Sequence, residues 1–224
     1  MNHVSRKVAR FGLLTALALI LGLADRAIPL SALLGGAVPG VKLGLANTVL
    51  LYAVYLMNLP GCVLLMLLKV ILSGFLFGSL SAMLYSLAGG VLSLAAMLLF
   101  RRFPRAGALG AGILAAVADI SLLAKSSQLS GQRLWIILLI ALAAAGAFLL
   151  SFLLRRQIVS EVVGVSLAGA IFHNIGQIAV ASAALHAPQL MTLYLPVLVG
   201  VGALVGSLTG LAADRVFRAL RLTA

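Results

Sequence analysis

Apolar runs long enough to cross a bilayer constrain this chain more than any other feature of its sequence. The stretches 79–100 and 190–213 carry no charged residue at all. Each exceeds the roughly 20 residues that a helix needs to traverse about 30 Å of hydrocarbon. A soluble fold must face water with its outer shell. Here 63% of the 224 residues are hydrophobic and 9% are charged, against about 25% charged in a soluble domain. The runs do not alternate polar with apolar residues, so the spans are helices and not strands of a membrane barrel.

Eight hydrophobic helices are predicted, over 11–30, 41–57, 62–77, 79–100, 108–124, 134–154, 161–186 and 190–213. The expected fold is an all-α polytopic transmembrane bundle, one integral membrane domain over 1–224. A Gly/Pro-rich loop, SALLGGAVPG at 31–40, precedes the second helix, and Asn58-Leu59-Pro60-Gly61 makes a tight turn after it. The fifth helix is the weakest; it is rich in Ala and Gly and carries Asp119. The first run has a basic start, like a signal peptide, but it is long and no small-residue cleavage site follows it, so it is expected to be retained.

The net charge of +12 reflects orientation. With the N-terminus inside, the inner segments hold Arg6, Lys7, Arg10, Arg101, Arg102, Arg105, Arg155, Arg156, Arg215, Arg218 and Arg221, eleven of the 16 basic residues. That bias puts both termini in the cytoplasm and the chain in the cell (inner) membrane as a multi-pass protein. No aromatic-plus-basic groove accompanies the charge, so nucleic acid is not an expected partner. The single cysteine, Cys62, excludes an intrachain disulfide and reads as a buried apolar thiol.

Polar and ionisable residues inside spans are costly, and each is a functional candidate. The first helix carries Asp25 and Arg26 near its outer end. The second opens with Lys42 and holds Asn47 about 8 Å deeper. The seventh carries His173, Asn174 and Gln177, of which His173 and Gln177 share a face. These residues are expected in the outer half of the bilayer, with His173 near its middle. They are predicted to form one cavity, whose cationic excess suits a phosphate- or carboxylate-bearing ligand. The bland readings stand beside this one. Asp25, Arg26 and Lys42 would mark the headgroup level, Lys69 would snorkel on its long stem, and His173 and Asn174 would be interhelical hydrogen-bond glue. Small-residue faces, Gly202-x-x-x-Gly206-x-x-x-Gly210 above all, with Gly74 and Gly78, and Gly12 and Ala16, fit either internal packing or the docking of a partner subunit.

Signatures of catalysis are missing. The four acids, Asp25, Asp119, Glu161 and Asp214, are scattered, so no aspartate-rich magnesium site is encoded. There is neither a phosphate-binding loop nor a nucleophile elbow. Three scattered histidines and one cysteine make no metal site. The expectation is a non-enzyme without a cofactor.

Several blocks carry a resemblance: VPGVKLGLAN at 38–47, LLKVILSGFLFG at 67–78, YSLAGG at 85–90, GVSLAGAIFHNIGQ at 164–177 and YLPVL at 194–198. Together they resemble the family called heptaprenyl diphosphate synthase component I, also known as the Gx transporter family. Its six-helix core is similar to the substrate-binding S component of energy-coupling factor transporters. On that resemblance, helices 11–100 and 161–213 form the core, and about 106–157 is an inserted helix pair. The resemblance implies uptake of a small anionic or amphipathic ligand, flavin- or prenyl-phosphate-like, from the outer side. It also implies docking on a transmembrane coupling subunit with ATPases. Lys42, Asn47, His173, Asn174 and Gln177 would form the pocket under a lid made by the GGAVPG loop. The competing readings are a non-catalytic membrane accessory subunit of isoprenoid or quinone synthesis and a structural subunit of a redox assembly.

Overall fold

The computed structural model describes residues 3–27, 42–77, 80–103 and 161–220, together with isolated helical positions at 110, 113, 117 and 146. The predicted fifth and sixth helices and the 31–40 loop lie outside these stretches. Among the described residues the chain has helix as its only regular secondary structure. It forms α1 (His3–Ala27), a 3-10 turn (Leu45–Asn47) leading into α2 (Thr48–Leu56), α3 (Leu59–Phe77), α4 (Leu80–Arg102), α5 (Glu161–Ala184) and α6 (Gln189–Ala219). All but α2 are long and apolar enough to cross a membrane, and the protein is a helical membrane bundle.

The central element is α5, with seventeen of its 24 residues buried. It packs on α4 and α6, and glycines make both contacts possible. A Cβ at Gly176 would stand 2.7 Å from the Ala88 carbonyl oxygen of α4. A Cβ at Gly206 would stand 2.9 Å from Leu167 Cα of α5. Gly202, Gly206 and Gly210 all face α5 at this range, so that face is filled from within the chain. Close backbone approach stands in for the hydrophobic drive that lipid cannot supply.

The second predicted helix is corrected by the structure. A continuous span over 41–57 is expected from the apolar run, but helix begins only at Leu45. Gly44 takes a left-handed φ of 87° and breaks the run. The remaining twelve residues, Leu45–Leu56, reach about 18 Å, well short of a bilayer. The start of this half-helix therefore lies inside the bundle, where orphan backbone groups are expensive, while its finish reaches the arginine-bearing end. Each end meets the charge that suits its dipole. At the start, the Asp25 carboxylate of α1 accepts the N–H groups of Leu45 (3.0 Å) and Ala46 (3.3 Å). At the finish, the Arg10 guanidinium donates to the Leu56 carbonyl at 3.0 Å, and that of Arg101 donates to the Val54 carbonyl.

The turn into α3 is a cap. Asn58 Oδ1 accepts the Gly61 N–H at 3.2 Å, and Pro60 sits in the first turn, where a missing N–H costs nothing. Around the finish of α2, Arg101 lies over the Tyr55 ring at 4.9 Å, and Phe217 of α6 packs against Tyr52 and Tyr55 at 5.1 and 5.3 Å. The start of α1 and the finishes of α4 and α6, with their arginines, thus share one end of the bundle. The polar cluster lies toward the other.

Candidate functional site

The broken start of α2 leaves non-helical backbone at 42–44 among apolar helices. Its polar groups need partners, and Gln177 of α5 supplies two. The Lys42 N–H donates to Gln177 Oε1 at 3.1 Å, and Gln177 Nε2 donates to the Lys42 carbonyl at 3.2 Å. Gln177 thereby acts as a clamp on the main chain of residue 42. The Lys42 ammonium reaches Ser73 Oγ of α3 at 3.3 Å.

One helical turn further into the bundle, Lys69 of α3 is 6% exposed, and its ammonium donates to Asn47 Oδ1 at 2.8 Å. That bond fixes the orientation of the Asn47 amide. Its Nδ2, also buried, has no hydrogen-bond partner. His173 of α5 is seated between two glycines: a Cβ at Gly89 would lie 2.5 Å from Nδ1, and one at Gly44 would lie 3.0 Å from Cδ2. The broken start of α2 and the YSLAGG segment of α4 therefore form two walls of a slot for the imidazole.

These groups line one cavity of about 20 Å³, room for roughly one water molecule. Asp25, Lys42, Asn47, Lys69, Ser86 and His173 supply its polar wall. Two lysines and one aspartate line it, so basic side chains outnumber acidic ones. In a medium of low dielectric an anion would be the complementary guest, provided it can hydrogen-bond as well as neutralise. Among the described residues no three His, Cys, Asp or Glu side chains come together as a metal-ligand set.

Of the predicted site residues, Asp25, Lys42, Asn47 and His173 meet at the cavity, and Gln177 supports it from behind. Arg26 is exposed and stands at the rim of a second, smaller cavity. Asn174 is turned about 100° from His173 around α5. It faces α6 instead, where its Nδ2 donates to the Leu198 carbonyl at 2.6 Å. Lys69, a candidate as an ionisable residue near the middle of its span, and Ser73 were not among the residues expected to line the pocket. A signal existed for both. Lys69 stands eight residues from the nearer end of α3, about 12 Å, too deep to snorkel, and Ser73 lies one turn further along on the same face.

A family whose description is heptaprenyl diphosphate synthase component I matches residues 14–148 and 122–216, which together take in most of the chain and every residue of this site. The chain belongs to that family. The expected membership in the heptaprenyl diphosphate synthase component I family is thus confirmed. No curated protein and no solved structure matches the chain.

Proposed function

We propose that this heptaprenyl diphosphate synthase component I family member is a non-catalytic membrane component that binds a small anionic or amphipathic ligand from one side of the bilayer. One observation carries the reading: a half-helix opens a buried pocket lined by Lys42, Lys69, Asn47, His173 and Asp25. Membrane transport proteins use broken helices in this way to expose backbone dipoles and polar side chains near the midplane. The basic end of the bundle, with Arg10, Arg101 and Arg218, faces the cytoplasm on the positive-inside rule. Both described ends of the chain then lie inside, and the pocket faces outward. The role resembles that of an S component, with energy coming from a separate coupling subunit. The ligand class is phosphate- or carboxylate-bearing, as in a flavin nucleotide or a prenyl phosphate. A cavity of about 20 Å³ is far below the several hundred cubic ångströms of a cofactor-sized site, so binding requires the start of α2 to draw away from α5.

The family description favours a second reading, an accessory subunit that holds a soluble synthase component at the membrane. Native mass spectrometry of the detergent-purified protein separates the two. On the first reading, a small anion accompanies the wild-type chain and is lost from Lys69→Met and Asn47→Ala but kept by Arg102→Ala. If only phospholipid is carried, and affinity purification returns a soluble prenyl synthase subunit, the second reading replaces the first.

A further inference from the structure

Two cavities meet at Lys42. The inner one is the pocket just described. The outer one, about 10 Å³, is lined by Arg26, Gly74, Ala82 and Met83, and it shares Lys42, Val70, Ser73 and Ser86 with the inner one. The partition between them includes the hydrogen bond from the Lys42 ammonium to Ser73 Oγ. Three cations thus stand in series along one line of cavities, with burial increasing inward. Arg26 is exposed, Lys42 is half-buried and Lys69 is buried. The outer cavity sits where α1 and α3 finish and α4 begins. There α3 and α4 close on each other through Gly74, where a Cβ would lie 2.6 Å from Met83 Sδ. Methionine is the side chain best able to swing aside from such a seam.

We infer that the two cavities are one access route for the anion, running from Arg26 past the Lys42–Ser73 partition to Lys69, with Met83 as its movable side wall. The inference rests on the anion-binding reading above and adds the path and its charge selectivity. Arg26 draws the anion to the mouth. Lys42 exchanges Ser73 for the anion as it passes. Lys69 and the unpartnered Nδ2 of Asn47 receive it. Cations staged along the route lower the barrier that a lone charge meets in a medium of low dielectric.

Charge-paired thiol reagents test this without a known ligand. The full chain carrying Cys62→Ala is given Ser73→Cys at the partition, or Leu80→Cys on the exposed start of α4 as reference. Each is treated with an anionic and with a cationic methanethiosulfonate. The anionic-to-cationic rate ratio at Ser73→Cys is expected to exceed that at Leu80→Cys by about tenfold, from one or two nearby cations. Adding Arg26→Gln should bring the ratio toward the reference, and adding Gly74→Leu should slow both reagents. Ser86→Cys, which also lines both cavities, serves in place of Ser73→Cys if that variant does not fold. Equal ratios at the two positions, no reaction at the partition, or indifference to Gly74→Leu would overturn the route. Anion selectivity in a chain that carries no small molecule in the mass spectrum would uphold the route and remove the uptake reading.

Discussion

Asp25→Ala is the sharpest test of how the pocket is built. Asp25 is 2% exposed, and its carboxylate accepts the first two N–H groups of the half-helix. Removing it leaves two buried backbone donors without their acceptor and takes a negative charge from the positive end of a helix. A hydrogen bond to a charged group contributes about 1.5–3 kcal/mol, and interhelical bonds in bilayers fall toward the low side of such ranges. Two bonds at the lower figure give about 3 kcal/mol. For a chain of this size that lowers the midpoint of thermal unfolding by roughly 6–12 °C. Asp25→Asn keeps one acceptor oxygen and is expected to lose about half as much. Differential scanning fluorimetry in detergent, with size-exclusion chromatography to confirm monodisperse protein, reads both variants. A midpoint for Asp25→Ala within about 2 °C of wild type, a shift under 1 kcal/mol by the same conversion, would refute the idea that this carboxylate holds the start of α2.

Gly44→Ala meets both a left-handed backbone and the His173 ring at 3.0 Å, and should cost about 2 kcal/mol in the same assay. Gly206→Val should push α6 off α5 and cost more than about 3 kcal/mol. Gly12→Val, with nothing within 4 Å of its Cβ, should stay within about 0.5 kcal/mol of wild type. Arg101→Ala loses the cap on Val54 and the stacking on Tyr55. A midpoint lowered by roughly 2–4 °C is expected, equivalent to about 1 kcal/mol.

The sequence by itself determined that the chain crosses a membrane, that its spans are helices and which family it joins. Those properties follow from run length, charge placement and contiguous motifs, all of which are local. It also marked Asp25, Lys42, Asn47 and His173, because an ionisable or amide side chain inside an apolar run is conspicuous whatever surrounds it. What each residue touches was decided by the tertiary structure. The apolar run at 41–57 reads as a span by composition. It becomes a half-helix because Gly44 can adopt a positive φ and because a carboxylate twenty residues away is placed to cap the new end. Lys69 reads as a snorkelling cation until Asn47 is seen opposite it. Asn174 reads as a pocket residue until the rotation of α5 turns it toward α6. The triple-glycine face reads as internal packing first, with a docking surface as the alternative, and α5 is found against it. In each case the deciding partner lies far along the chain. The energy of a buried polar group depends on which partner completes it, and one strand of sequence cannot specify that before the helices have packed.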